Sequence, residues 1–380
     1  MLKKLISLLI LFTIVFIAPI KSEEGPALNL SCKSAVLMDA ATGTVLYELN
    51  KDKAYAPASI TKIMTLLLAM EALSSGQISY DSIVTASERA KSMGGSTIFL
   101  DAGERMTVHD LIKGIAVASA NDACVAMAEY LAGSEAEFVN KMNEKAQALG
   151  MQNTHFVNTN GLDAEGHYSS AYDVALMSKA LMAYPDIFKF TTIWTDSLRD
   201  GKFNLANTNK LIRFYNGANG LKTGSTSGAG CCISAAALRD GMQLIAVVMN
   251  APTSADRFQD ARTLLDYGFA TYCIWQNNDV SKPFNAIKVN KGEINTVNAV
   301  LEHPVSILLK KSKAGAVTEN VTLPDLIAAP VKKGQSLGTV EYFANGESVA
   351  KYSLVASCDV ARISYKTICS RLFKRLLFNA

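Results

Sequence analysis

The sequence predicts an α+β fold, in which a mainly helical region is inserted between the early and the late strands of one antiparallel sheet. Near the start, two apolar runs at 34–38 and 44–49 flank a Gly-containing turn, which is the pattern of a β-hairpin. Residues 80–200 carry apolar side chains at helical spacing, and from residue 219 the pattern changes to that of strands. A small all-β sandwich domain and a C-terminal amphipathic helix are predicted to follow this first domain.

The first 22 residues predict a secretory signal peptide. Lys3 and Lys4 precede an apolar run at 5–20, which is short for a membrane span, and Ser22 is acceptable as the last residue before a cleavage site. An uncleaved N-terminal anchor is the alternative. The sequence therefore predicts an exported protein at the outer face of the cytoplasmic membrane, in the extracytoplasmic or periplasmic space.

Composition and charge limit the class of protein. The chain has 380 residues, of which 49% are hydrophobic and 19% charged, as in a soluble globular protein of two or more domains. The formal net charge is +3. Lys3, Lys4 and Lys21 contribute +3 to the first 22 residues, and the last twenty residues carry five basic side chains and no acidic one, so residues 23–360 sum to about −5. This distribution excludes a basic face for nucleic acid. The seven cysteines lack metal-ligand spacing, and we expect neither a metal nor a cofactor.

The stretch around Ser59 predicts an activated serine. Pro57 and Ser59 mark the entry to a helix, and Lys62 follows Ser59 by three residues on the same helix face. A serine hydroxyl needs an adjacent base to become a nucleophile, and lysine can be that base if burial or a neighbouring cation lowers its pKa. The same spacing recurs at Ser348 and Lys351 in a β pattern, where positions i and i+3 point to opposite faces, so we interpret that pair as solvated.

The rest of the first domain, 23–276, follows from periodicity and turn signals. Residues 158–170 are rich in Gly, Asn, Asp and Ser and predict a surface loop, in which we interpret His167 as an ordinary loop histidine. The apolar periodicity and an Asp-Gly turn predict helices at 108–118, 123–131, 136–149, 171–183 and 256–272, and strands at 231–238 and 242–249.

The second domain and the tail follow a polar break at 276–279. Residues 282–358 predict a separate β-sandwich with strands at 286–289, 296–300, 305–309, 317–323, 338–343 and 348–355. The tail, 359–380, is amphipathic, with apolar and basic side chains on opposite sides of a helix. We expect this helix to lie in a membrane interface as a peripheral anchor. A helix packed on the protein's own surface is the alternative.

Two further short motifs accompany Ser59. Ser119-Ala120-Asn121 follows an apolar helical stretch, and Lys222-Thr223-Gly224 stands just before the first late strand. Each tripeptide is short enough to arise by chance. The order S-x-x-K, S-x-N, K-T-G is far more informative, because this set of motifs is typical of penicillin-binding proteins and class A β-lactamases, which usually have S-D-N as the middle motif.

The chain resembles a serine-type D-alanyl-D-alanine carboxypeptidase, a low-molecular-weight penicillin-binding protein of peptidase family S11. The resemblance includes the stretches 38–43, 119–122, 161–163, 169–173 and 264–268. It implies a penicillin-binding or β-lactamase-like domain of helices and antiparallel sheet, followed by a β-rich domain and a C-terminal anchor. The implied substrate is a peptidoglycan stem peptide ending in D-Ala-D-Ala, the implied inhibitors are β-lactams, and we expect a monomer.

The resemblance also implies a role for each motif residue. Ser59 attacks the penultimate carbonyl, Lys62 takes the serine proton as a neutral amine, and Ser119 relays a proton to the leaving nitrogen. Lys222 is expected to hold the pKa of Lys62 down by charge repulsion, and the backbone N–H groups of Ser59 and Ser225 are expected to form the oxyanion hole. The candidate substrate-binding residues are Asn121, Lys222, Thr223, Gly224, Ser225 and Arg257.

Several alternatives remain open from the sequence. A β-lactamase shares the motifs, but it needs an acid to activate water for deacylation, and the nearby candidate, Glu165, lies in a loop unlike that of the lactamases. A wall-binding protein without catalysis is disfavoured by the intact motifs, whereas an endopeptidase or transpeptidase would use the same side chains. Arg257 is a candidate for the substrate's terminal carboxylate or, alternatively, a solvated arginine at a helix start.

Overall fold

The computed structural model describes residues 28–378, so the predicted signal peptide and the alternative N-terminal anchor lie outside the described residues. The helices are α1 Lys62–Ser74, α2 Glu88–Lys91, α3 Val108–Lys113, α4 Asn121–Ala132, α5 Glu135–Ala148, α6 Ala171–Met182, α7 Phe188–Thr191, α8 Leu211–Phe214, α9 Ser254–Thr271, α10 Lys311–Ala314 and α11 Tyr365–Phe378. The strands are β1 Ser34–Asp39, β2 Val45–Leu49, β3 Ile83–Thr85, β4 Arg105–Thr107, β5 Thr195–Leu198, β6 Phe203–Ala206, β7 Ala218–Thr226, β8 Gly230–Arg239, β9 Met242–Ala251, β10 Tyr272–Asn277, β11 Ala286–Asn290, β12 Thr296–Leu301, β13 Val305–Lys310, β14 Val317–Thr322, β15 Leu326–Ala328, β16 Ser336–Ala344 and β17 Glu347–Ala356.

The first part of the chain is built on a five-stranded antiparallel sheet in the order β2-β1-β9-β8-β7. The early hairpin pairs with the late strands, as the sequence predicts. Successive strand side chains face opposite sides, so Val36 and Met38 join the core that contains α1 and α6, whereas Ala35 and Leu37 join the core that contains α9. The sheet therefore lies between the helical region and α9, and the predicted α+β class is confirmed.

Helix α1 lies at the centre of the helical region. Nine of its thirteen residues are buried, and it packs against α4 and α6. A helix that is apolar on every side belongs in a core rather than at a surface. Its first residue, Lys62, is therefore enclosed, whereas Ser59 lies in the 3₁₀ turn Ala58–Thr61 just before it and is half-buried.

The helical region is less uniform than the sequence predicts. Two short hairpins, β3–β4 and β5–β6, lie within it. The β5–β6 turn uses Arg199, Asp200 and Gly201 at positive φ, and this turn signal was not recognised in the sequence. The predicted helix at 108–118 ends as α3 at Lys113, and Gly114–Ala118 continues as a π-helical turn before Ser119. Single π-helical turns within helices often occur at functional sites.

The β-rich part contains a six-stranded sheet in the order β14-β16-β17-β12-β11-β15 and the strand pair β10–β13. Its core includes Ile287, Val297, Val340 and Leu354. The predicted helix at 256–272 begins two residues late and ends one residue late, because α9 spans Ser254–Thr271 and Tyr272 begins β10, where it pairs with Lys310 of β13. The strands that the sequence predicts are present, and β10 and β15 are additions. The domain boundaries themselves stay predictions.

Helix α11 ends the described chain. Tyr365, Ile368, Leu372 and Phe373 are exposed, and Phe373 leaves 66% of its surface accessible. The apolar side of this segment is thus not covered by the body of the protein, although Arg371 donates a hydrogen bond to the carbonyl of Glu293. Within residues 28–378, none of the helices is long and apolar enough to cross a membrane.

Candidate active site

Ser59 sits at a point where three backbone segments meet. Ala58, just before it, adopts a positive φ of 48°. A Cβ added to Gly224 of β7 would lie 2.8 Å from the Ser59 nitrogen, and one added to Gly161 would lie 1.8 Å from the Ala58 carbonyl oxygen. Both glycines therefore allow backbone contacts that a side chain would prevent. The half-buried Ser59 residue therefore lies between the β7 strand and the 158–170 loop.

Lys62 is fully buried and points at the serine. Its Nζ lies 2.8 Å from Ser59 Oγ, 2.7 Å from Asn121 Oδ1 and 2.7 Å from the Asn160 carbonyl oxygen. Burial lowers the pKa of Lys62 to about 8, against smaller opposing effects from Cys124 and Asp122. A neutral amine has two N–H donors and one lone pair. The two oxygens of Asn121 and Asn160 can accept both donors, which leaves the lone pair for the Ser59 hydroxyl proton.

The S-x-N segment lies across the cleft from Ser59. Asn121 opens α4, and besides bonding Lys62 it donates from Nδ2 to the Gly94 carbonyl at 2.6 Å. Ser119 is only 4% exposed and adopts a left-handed backbone with φ of 63°. Non-glycine residues in this conformation are uncommon and concentrate at functional sites. Within the described part of the chain, no hydrogen bond partner satisfies its hydroxyl, so its relay role stays a prediction.

Lys222 provides a second buried amine. It is 1% exposed, and its Nζ donates to the Thr223 carbonyl at 2.9 Å. Burial lowers its pKa well below the usual range, and the positive charges of Lys62 and then Arg257 lower it further. The charge of Lys62 contributes to the lowered pKa of Lys222. Burial is the main cause of the lowered pKa of Lys62, and the effect of Lys222 on Lys62 stays a prediction.

Strand β7 forms the edge of the five-stranded sheet next to Ser59. The Thr223 hydroxyl donates to Thr208 Oγ1 at 2.7 Å, and Ser225 is exposed, with its Oγ 3.7 Å from Cys231 Sγ. An edge strand carries unpaired N–H and C=O groups, which an extended peptide can use by adding as a further strand. Gly224 faces Ser59 at this edge and leaves room for such a peptide.

Arg257 lies behind β7 rather than in solvent, so its interpretation as a solvated arginine is wrong. It is 8% exposed, and its guanidinium donates to the Gly224 carbonyl at 2.9 Å and to Ser254 Oγ at 3.2 Å. The Thr253 side chain caps α9 and fixes the first turn on which Arg257 lies. Burial is the main cause of its lowered pKa. Among residues 28–378, its guanidinium has no carboxylate partner and its Nε makes no hydrogen bond.

The 158–170 loop contributes groups that the sequence interpretation missed. The Asn160 carbonyl accepts from Lys62, and Asp163 accepts from Thr226 Oγ1 at 2.6 Å and from the Gly228 amide at 3.2 Å. These bonds tie the loop both to α1 and to the β7–β8 turn. The interpretation of His167 as an ordinary loop histidine is wrong, since its side chain is buried, at 5% exposure. The Asn-Thr-Asn-Gly run at 158–161 was the available signal, because such runs favour tight turns.

Comparison with known proteins gives a consistent result along the chain. The model of the D-alanyl-D-alanine carboxypeptidase family matches residues 20–253, and the model of the penicillin-binding protein 5 C-terminal domain matches residues 269–362. The chain is 47% identical over 347 residues to the D-alanyl-D-alanine carboxypeptidase DacF of Bacillus subtilis, a match that covers 89% of this chain and 88% of that protein.

Solved structures agree with the sequence comparison. Penicillin-binding protein 5 from Haemophilus influenzae superimposes with a TM-score of 0.75 at 33% identity, covering 89% of this chain and 99% of that one. Penicillin-binding protein D2 from Listeria monocytogenes, in its ampicillin-bound form, superimposes with a TM-score of 0.59 at 33% identity, covering 64% of this chain and 100% of that one.

Proposed function

The chain belongs to the D-alanyl-D-alanine carboxypeptidase family, and on this premise we propose that it removes the terminal D-alanine from peptidoglycan stem peptides through an acyl-enzyme on Ser59. The resemblance stated from the three motifs is confirmed, and neither the β-lactamase nor the non-catalytic alternative is favoured. The observation that carries the assignment to Ser59 is the fully buried Lys62 amine, 2.8 Å from the Ser59 hydroxyl.

The first step forms the ester. The Lys62 lone pair takes the hydroxyl proton while Ser59 Oγ attacks the penultimate carbonyl carbon of the stem peptide. The oxyanion that develops is held by the N–H groups of Ser59 and Ser225. The C–N bond between the two alanines then breaks, and D-alanine leaves with a proton on its nitrogen. Water next attacks the ester, releases the shortened peptide and returns the proton to Ser59.

The leaving nitrogen needs a proton donor on its side of the cleft. We assign this relay to Ser119, and its support is the strained backbone that fixes its position and the two buried amines of the site. Since burial and the neighbouring charges lower the pKa of Lys222 well below its usual range, its amine is a second group that can exchange a proton with such a relay.

The terminal carboxylate of the substrate needs a cationic environment. We assign it to the Thr223 and Ser225 hydroxyls and the Lys222 amine as hydrogen-bond donors, with Arg257 supplying positive charge from behind β7. Arg257 acts through the strand, because its guanidinium already bonds the Gly224 carbonyl, and it lacks a carboxylate partner within the described residues. Asn121 holds Lys62 through Oδ1 and can hold the substrate amide on the opposite wall.

β-Lactams are expected to acylate the same serine, because Ser59 would attack the lactam carbonyl as it attacks the peptide. The penicillin-binding relatives and the ampicillin-bound Listeria structure support this expectation. Deacylation should be slow, since Glu165, the loop acid considered for activating water, is exposed.

The test of the proposed function is direct. We expect the purified enzyme to release D-alanine from diacetyl-L-Lys-D-Ala-D-Ala and to form a long-lived adduct with labelled penicillin at Ser59. The measurements are D-alanine assay and mass mapping of the labelled peptide. Fast penicillin hydrolysis without peptide cleavage would support a lactamase instead. Transfer of the acyl group to an added amine in preference to water would support a transpeptidase.

We also propose that the enzyme acts outside the cytoplasmic membrane as a monomer, with α11 lying on the membrane surface. The tail combines the exposed apolar residues Ile368, Leu372 and Phe373 with basic side chains and no acidic one. Apolar burial in the headgroup region and attraction to anionic lipid both favour such a helix at an interface.

Truncation at Asp359 tests this anchor. We expect the mature full-length protein to sediment with vesicles of anionic phospholipid, and the truncated protein to stay in solution with unchanged D-alanine release. A full-length variant with Leu372→Ser and Phe373→Ser keeps every basic residue and should show weakened binding, because the apolar contribution is reduced. Equal sedimentation of the truncated and full-length proteins would show that another segment provides the anchor.

A further inference from the structure

His167 makes two hydrogen bonds that fix its protonation state. Its Nε2 lies 2.8 Å from Thr61 Oγ1, and its Nδ1 lies 2.9 Å from the backbone nitrogen of Val157. The Val157 N–H can only donate, so Nδ1 must carry the lone pair and the ring proton must be on Nε2. The ring therefore donates to the Thr61 oxygen.

The Thr61 hydroxyl connects His167 to the backbone next to Ser59. Its own proton is donated to the Ala58 carbonyl oxygen at 2.8 Å. These groups form a hydrogen-bond chain that runs from the Val157 N–H through His167 and Thr61 to the Ala58 carbonyl. This is the only direction of donation that satisfies each donor and acceptor. Ala58, Thr61 and His167 are all buried, whereas Val157 is partly exposed.

The hydrogen-bond chain ends at the peptide group that carries the Ser59 N–H. The Ala58 carbonyl and the Ser59 N–H belong to one planar unit and point in opposite directions. Ala58 has φ of 48°, a conformation unfavourable for a residue with a Cβ, so this plane needs support from its surroundings. The Ser59 nitrogen faces Gly224 of β7, where the substrate is proposed to lie.

We propose that His167 is a positioning residue: through Thr61 it fixes the Ala58–Ser59 peptide plane and so aims the Ser59 N–H at the developing oxyanion. The inference rests on the proposed role of Ser59. His167 itself touches neither substrate nor the reacting atoms. It links the 158–170 loop, which also supplies the Asn160 carbonyl to Lys62, to the geometry of the oxyanion hole.

Acid should disrupt this hydrogen-bond chain, because protonation of His167 at Nδ1 would place an N–H against the Val157 N–H. The pKa of His167 is lowered from 6.5 to about 4, mainly by burial, with a smaller contribution in the same direction from His155 and an opposing one from Asp163. The 3₁₀ turn that packs against the ring presents the neutral Thr61. Since the unfolded chain takes up this proton at a higher pH than the folded one, His167 makes the folded state lose stability as pH falls from about 6.5 to about 4.

The decisive comparison uses Thr61→Val and Thr61→Ser beside His167→Phe and His167→Gln. Valine and phenylalanine keep the approximate shape and remove the polar atoms, whereas serine and glutamine retain a hydrogen-bonding group. We expect His167→Phe and Thr61→Val each to slow acylation by penicillin by about 10-fold to 10²-fold, with the loss in kcat of D-alanine release rather than in KM. Thr61→Ser and His167→Gln should recover most of the rate.

His155→Gln is the matched control, since His155 is an exposed histidine next to the same loop and its Nδ1 contacts only the Gly166 carbonyl. It should retain the wild-type rate. The double variant His167→Phe with Thr61→Val should lose little more than either single variant, because both interrupt one chain. Thermal melting identifies any variant that fails to fold. A folded Thr61→Val or His167→Phe enzyme with the wild-type acylation rate would overturn the inference, whereas an inactive wild-type enzyme would overturn the proposed function.

Discussion

Replacing Ser59 with alanine is expected to abolish both D-alanine release and covalent penicillin binding, with a loss in kcat of about 10⁴-fold to 10⁶-fold. The substitution removes the oxygen that forms the ester and leaves Lys62 without a group to deprotonate. The backbone N–H of residue 59 and the β7 edge remain, so substrate binding should change little. The measurements are D-alanine assay, and gel or mass detection of the penicillin adduct.

Ser348→Ala is the matched control for this substitution. Ser348 is the first residue of the second S-x-x-K motif, but it is exposed on β17, and its hydroxyl donates to Glu341 instead of contacting Lys351. We expect this variant to keep full activity and the full penicillin adduct. A Ser59→Ala enzyme that still released D-alanine, or an adduct that mapped to another residue, would contradict the assignment.

The spacing of Ser59 and Lys62 was predictable because it depends on local geometry. Three residues on a helical turn bring both side chains to one face, and the structure places the Lys62 nitrogen 2.8 Å from Ser59 Oγ. The two distant motifs could be associated with this pair only through their order in the chain and the family resemblance. The convergence of Asn121 and Lys222 on one cleft depends on how the sheet and helices pack, and the spacing of residues along the sequence does not predict that packing.

The groups that the sequence did not reveal are mostly backbone atoms or buried polar side chains in a loop. The Asn160 carbonyl and the Ala58 peptide plane have no residue-type signal, since every residue carries a backbone carbonyl. The burial of His167 and of Arg257 was not predicted for a related reason. Polar residues in polar stretches are usually solvated, and only the packing of the 158–170 loop and of α9 buries these two.

The fold could be predicted where periodicity was strong and failed where elements were short. Four strands of the five-stranded sheet followed from apolar runs, whereas β7 lacks such a run and contains the Lys222-Thr223-Gly224 motif that was placed before the first late strand. Strands β3, β4 and β15 have three residues each, too few to establish a period of two. The exact end of α9 was also missed. Tyr272 continues the apolar pattern of the helix, but its backbone pairs with β13 because that strand is available beside it.

The second large expected effect concerns Lys62. Lys62→Met should lower the rate of penicillin acylation and kcat/KM for D-alanine release by about 10²-fold to 10⁴-fold, because it removes the base and leaves the Ser59 hydroxyl neutral. Lys62→Arg should be impaired to a similar extent, since a guanidinium keeps the positive charge but cannot accept a proton near neutral pH. If Lys62 acted only through its charge, arginine would support activity. Circular dichroism verifies that each variant folds.

The pH profile gives an independent measure of the same role. Burial lowers the pKa of Lys62 to about 8, so below that pH most of the amine is protonated and cannot take the serine proton. The acylation rate of the wild-type enzyme should therefore rise about tenfold per pH unit below pH 8 and level off above it. Lys62→Met should lose this slope together with the rate. Lys145→Met is the control, because Lys145 pairs with Glu71 at the far end of α1 and should leave the profile unchanged. A wild-type rate that stayed constant between pH 6 and pH 9 would contradict the assignment of Lys62 as the base.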